Sequence, residues 1–239
     1  MELDNDKEDD NDRKPKTNIK GRWDETLKKS YRLSSLISTL AEGFQKKYFR
    51  NKYNLDIIEI EDKLNLEEQY INYYFLPNDT NVIAEKIIYC CKRYNLHPDD
   101  VGILAFTIDF LCELDKKYRD VSHENTKTSI ETIEIREFLK KANTDETTNT
   151  VNSKKLEMDI ERVRKNKRWN FYMHPGMVKM STIHSFKGWE IKALFLIIEN
   201  SENISDELIY TALTRCKRNL FIINIGNKKY DEYFKENIN

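Results

Sequence analysis

Two short stretches hold the residues best suited to chemistry, 180–197 (MSTIHSFKGWEIKALFLI) and 206–224 (DELIYTALTRCKRNLFIIN). The first sets Thr182, His184, Lys187 and Gly188 at the C-terminal edge of a predicted buried strand, with Glu190 two residues further on. That edge is where open α/β sheets bind ligands. His184 and Lys187 can donate to phosphate oxygens, and Gly188 allows a close backbone approach or a positive φ. The second stretch sets Arg215, Lys217 and Arg218 at the end of a predicted helix, just before a strand. A guanidinium suits a planar, two-pronged hold on phosphate. Taken singly, each feature has a structural explanation. Basic residues in a last turn favour the helix dipole, Lys-Gly suits a turn, and a Thr-x-His at a strand edge needs no ligand.

The elements that must position these residues follow from periodicity. Helical spacing of Leu33, Leu36, Ile37, Leu40, Ala41, Phe44 and Tyr48 predicts a helix within 24–52, with Ser34 or Ser35 near its start. Strands are predicted at 57–61 and 69–75, and a helix at 79–94 capped by Asp79 or Thr80. The continuous apolar run 101–106 predicts a buried parallel strand, followed by a helix at 108–118. Residues 119–153, rich in Thr, Asn and charge, predict a flexible excursion around a short strand at 130–135. A charged helix at 154–167 and a strand edge at 169–172 follow. Strands at 178–182, 193–199 and 220–225, with a helix at 206–215, complete the reading. Strand, helix and strand in that order predict an α/β fold with a mostly parallel sheet flanked by helices. The sheet is expected to include 57–61, 101–106, 178–182, 193–199 and 220–225.

Composition bounds the function classes. Six Gly and four Pro among 239 residues argue against an all-β fold full of tight turns, and 11% aromatics argue for a real core. A net charge of −1 leaves nucleic-acid binding open, because a local basic groove can sit on a neutral protein. Cys90, Cys91, Cys112 and Cys216 form no CxxC pair, so free thiols are expected and no metal ligands are assigned. Residues 1–20 predict a disordered, acidic tail, and 21–239 a single domain. No apolar stretch at the start suggests a signal peptide, and no run approaches the roughly 20 apolar residues of a spanning helix. A cytoplasmic protein with no membrane partner is expected.

Together the two stretches resemble motifs V and VI of the UvrD/Rep-like superfamily 1 DNA helicases. Motif V there runs T-x-H-x-x-K-G-x-E, and Thr182, His184, Lys187, Gly188 and Glu190 stand in those places. Motif VI runs Y-x-A-x-T-R-A-x-x-x-L, matched by Tyr210, Ala212, Thr214, Arg215 and Leu220, with Cys216 for the usual Ala. Lys29-Ser30-Tyr31-Arg32 looks like motif IV at the opening of a helix. The resemblance implies a second RecA-like domain, with Arg215 as arginine finger and Arg32 as its companion on the γ-phosphate. Glu190 and Gly188 would approach the nucleotide, and Lys187 would support the site. Thr182 and His184 would touch the phosphates of single-stranded DNA. ATP with Mg would be the shared cofactor.

The departures from the family are as informative. No G-x-x-x-x-G-K-[ST] occurs in the sequence, and no Asp-Glu pair sits on a predicted buried strand. The chain alone is therefore not expected to hydrolyse ATP, and a separate or missing N-terminal helicase half would complete the site. The span from Arg119 to Lys167 is too short and polar for the family's full helical insertion. The competing expectations are a non-catalytic nucleic-acid-binding or interaction module, and a truncated remnant.

Overall fold

The computed structural model describes residues 29–30, 33–50, 52, 59–60, 68–144 and 150–238. The acidic tail 1–20, Tyr31 and Arg32 lie outside the described residues.

Among the described residues the main sheet has six strands, all parallel, which is the expected α/β class. Its strands are β3 (Ile71–Phe75), β4 (Val101–Ala105), β5 (Thr126–Thr128), β6 (Val178–Thr182), β7 (Ile191–Glu199) and β8 (Cys216–Ile225). They lie in the order β3-β8-β7-β4-β6-β5. The inner strands read as apolar runs because both faces are covered, and alternate residues feed two separate cores. Leu104, Leu194, Leu196, Leu220 and Ile222 face one way, toward α1 (Ser35–Tyr48), α6 (Asp206–Leu213) and α7 (Lys228–Asn237). Ile103, Ala105, Phe195, Ile197, Phe221 and Ile223 face the other, toward α2 (Thr80–Arg93) and α3 (Ile108–Ser122).

Local chemistry explains most helix bounds. Ser34 caps α1 by accepting from Ile37 N–H, and Asp79 caps α2 by accepting from Asn81 N–H. Helix α1 buries Ile37, Leu40, Ala41 and Phe44 on one stripe. At Gly43 it meets α7 so closely that an added Cβ would stand 2.7 Å from the Tyr233 hydroxyl. That hydroxyl donates to the Leu40 carbonyl at 2.6 Å.

Several expectations are corrected. Lys29–Ser30 does not open a helix; it forms strand β1, which pairs in parallel with β2 (Glu59–Ile60). This two-stranded ladder is separate from the main sheet, so Glu59–Ile60, within the expected 57–61 strand, is not part of that sheet. The place at that end is taken by β3, whose partner is β8. The expected strand at 130–135 is instead the approach to a helix, α4 (Ile133–Ala142), capped by Thr132. Between Arg119 and Ser153 the described residues carry the end of α3, then β5, then α4. The charged helix stands as α5 (Ser153–Trp169), and 169–172 is its end and not a strand. Helix α7 was not anticipated.

Candidate functional site at the two ends of the sheet

The candidate residues divide between opposite ends of the sheet. Thr182 ends β6 at the sheet's C-terminal edge, and residues 183–190 then run back to the N-terminal start of β7 without a helix. Five residues of strand separate the two ends, roughly 16 Å at about 3.3 Å per residue. Buried Ile183 and Phe186 anchor this crossover, with Phe171 packed edge-on against Phe186 and Trp189. The expectation that Gly188 shares the C-terminal edge with Thr182 is thus corrected. A short crossover between parallel strands has to traverse the sheet, and here the motif is the crossover.

At the C-terminal end, the Thr182 hydroxyl donates to Ser185 Oγ at 3.0 Å and accepts from Ser185 N–H at 3.2 Å. Its visible work is to shape the turn. His184 is exposed beside the Phe106 ring. The neighbouring end of β7 carries Glu199, a residue the sequence reading did not single out. One Glu199 oxygen accepts from Phe106 N–H and Thr107 N–H, both at 2.8 Å, and the other accepts from the Thr107 hydroxyl. These amides stand at the start of α3, where an anion is favoured. The protein's own carboxylate therefore fills the phosphate-like position at the β4–β7 edge. The available signal was one carboxylate ending an otherwise apolar strand.

At the N-terminal end, Ile191 N–H donates to the Arg215 carbonyl at 3.0 Å, and Ile191 pairs with Cys216 as β7 meets β8. Glu190 and Arg215 are therefore neighbours, although 25 residues apart in sequence. Gly188 has φ +92°, with no atom within 4 Å of an added Cβ, so backbone conformation and not space calls for glycine. Lys187 is exposed. Glu190 is ion-paired with Lys217 at 2.9 Å; Lys217 and Arg218 belong to the first turns of pleat in β8 and not to a helix end. Gly188, Trp189, Glu190, Lys192 and Lys217 line a cleft of about 340 Å³ together with Asp99 and Asp100.

The floor of this end is set by Lys179, a buried lysine of β6. Its ammonium donates to the Asp99 carbonyl at 2.5 Å and stands 3.9 Å from the Asp99 carboxylate. Burial pushes its pKa down, and Asp99 and Asp100 oppose that shift. Asp100 in turn pairs with Lys192 at 3.1 Å. The cleft is thus lined by matched charges.

Arg215 follows directly from α6, which is pinned at its start by Asp206 to Lys52, Lys229 and Tyr230. Its guanidinium is half-buried and folds back on its own helix end. Nε donates to the Thr211 carbonyl at 3.3 Å and Nη2 to the Thr214 hydroxyl at 3.4 Å. Among the described residues no carboxylate pairs with it. Tyr210 packs edge-on against Phe49, and burial pushes its pKa up. It is a packing group between α6 and α1, as its position on the inner face suggests.

No protein-family model matches the chain, and no curated protein does. Among the described residues no helix is long and apolar enough to cross a membrane. Among solved structures, the chain is similar to the C-terminal domain of a possible DNA helicase from Lactobacillus plantarum WCFS1. The two are 14% identical with a TM-score of 0.46, over 83% of this chain and 89% of that one.

Proposed function

We propose that this is the second α/β domain of a superfamily 1 helicase-type motor, supplying the arginine finger to a shared ATP site. The residues that hold the phosphates and Mg²⁺ would stand on a first domain, on the same polypeptide or another. The observation that carries this reading is the Ile191–Arg215 backbone hydrogen bond. It joins the two motif-bearing segments, so that Gly188, Glu190 and Arg215 share one end of the sheet.

The state of Arg215 supports the role. A guanidinium locked to a carboxylate would have to break that pair before meeting a phosphate. Among the described residues, Arg215 has only two long hydrogen bonds, to its own helix end, to give up. Placed across from a triphosphate, it would stabilise the charge gathering on the equatorial oxygens, an effect worth roughly 10³–10⁵ in rate. Arg32 is its proposed companion. Lys217 holds the Glu190 carboxylate in place, and Gly188 lets the backbone come near a ligand. ATP with Mg would supply the transferable phosphoryl group. Single-stranded DNA is the proposed track, with exposed His184 as a phosphate donor and Thr182 holding the turn that presents it.

The test measures ATP hydrolysis with single-stranded DNA present. The chain alone, a first domain carrying a phosphate-binding loop and encoded beside it, and the two together are compared. Hydrolysis only, or far faster, in the combined sample is expected. A combined rate equal to the sum of the separate ones contradicts the proposal.

A further inference from the structure

We propose that the last turn of α5 and the outer strand β5 form a receptor for single-stranded nucleic acid, separate from the Thr182–His184 end of β6. The proposal does not depend on the ATPase reading. Lys127, Thr128, Asn125, Asn166, Lys167 and Asn170 line an open cleft of about 540 Å³. No Asp or Glu stands on its lining. Arg119 borders it but is already paired with Asp115 and Glu134.

The two lysines are the telling groups. Lys167 donates to the neutral Thr128 hydroxyl at 2.8 Å, and Lys127 sits 4.3 Å from the Tyr172 ring centre. Among the described residues neither is ion-paired with a carboxylate. Lys165 and Arg168 extend the positive run on the same helix end. At the end of the same helix Trp169 is 80% exposed, and Tyr172, the ring beside Lys127, is 50% exposed. An indole left in water has a large apolar face with nothing against it.

Cations, side-chain amides and open aromatic rings together match one ligand chemistry. Phosphates would meet Lys127 and Lys167, amides and hydroxyls would meet sugar and base edges, and unstacked bases would lie on Trp169 and Tyr172. A duplex keeps its base faces inside and offers nothing to the indole. Free phosphate or an acidic peptide would use the lysines and leave the rings idle.

The test is binding of labelled single-stranded oligonucleotides to the full chain, with the salt dependence recorded. Trp169→Ala is expected to weaken binding about 5- to 150-fold, the range that one stacked base contributes. Trp169→Phe should restore most of it. Lys127→Ala should lower the slope of log K against log salt by about 0.7. Because Trp169 is exposed, circular dichroism should be unchanged in its variants. Failure of the wild-type chain to bind at low salt, or equal binding by Trp169→Ala, would overturn the proposal. So would displacement by inorganic phosphate or polyglutamate that is indifferent to Trp169, which assigns the cleft to a simple anion or an acidic protein. Loss of all binding in His184→Ala would place the nucleic acid at the β6 end and also overturn it. Retained Trp169 dependence in that variant supports two separate surfaces.

Discussion

At the scale of single residues, Glu199 and Arg215 illustrate how partners decide roles. Glu199 has three donors and so acts as an internal ligand, closing the C-terminal edge between β4 and β7. Glu199→Ala leaves two backbone N–H groups at the start of α3 without an acceptor. It should cost about 1–3 kcal/mol in chemical denaturation, and Glu199→Gln, which keeps an acceptor oxygen, should cost less. Equal stability of Glu199→Ala and the wild type would contradict this capping role. Arg215 is the opposite case, with no acid to satisfy it among the described residues. Residue types and spacing mark Thr182, His184, Gly188, Glu190 and Arg215 as candidates. They did not reveal which end of the sheet each occupies, because one short motif spans both ends. Nor did they mark Glu199, whose partners Phe106 and Thr107 are distant in sequence.

At the scale of elements, one buried carboxylate ties α4 to α5, and a second ion pair adds α3. Glu131 accepts from Arg136 at 2.6 Å and from Arg164 at 2.6 Å, while Arg119 links α3 to Glu134. Burial would raise the Glu131 pKa, but the Arg164 and Arg136 hydrogen bonds outweigh it and hold the carboxyl down to about 2. The folded pKa lies below the ordinary 4.5, so this stabilisation is fully present above about pH 4.5. It is lost as pH falls toward 2. Thermal unfolding of the wild type should therefore show an acid-side decline in that window, and Glu131→Ala should flatten it. The same variant should lose about 2–3 kcal/mol at neutral pH, moderated by the partial exposure of both arginines. This clamp also explains why the 130–135 stretch misled a local reading. Ile130, Thr132, Ile133 and Ile135 are β-branched, yet Thr132 caps α4 and Glu131 is drawn inward by arginines from elsewhere. Helix α7 was readable in principle, since Tyr230, Tyr233 and Phe234 recur at helical spacing within a charged stretch. The pairing of β2 with β1 was not, because it depends on a contact far along the chain.

At the scale of the whole molecule, the buried parallel strands were the most readable feature, since both-face burial writes itself as an apolar run. Four of the five expected strands stand in the main sheet at or near their expected positions. Because β6 and β7 run parallel, with β4 between them, the 183–190 crossover must pass from one end of the sheet to the other. That placement brings Gly188 and Glu190 to Arg215. The role proposed for Arg215 is to act on a γ-phosphate held by another domain. The most direct measurement compares single-stranded-DNA-stimulated ATP hydrolysis by the chain and its complementing first domain with that of the same pair carrying Arg215→Ala. A loss of roughly 10³-fold or more is expected, with nucleotide binding and complex formation retained. Hydrolysis by the Arg215→Ala pair at the wild-type rate would contradict it.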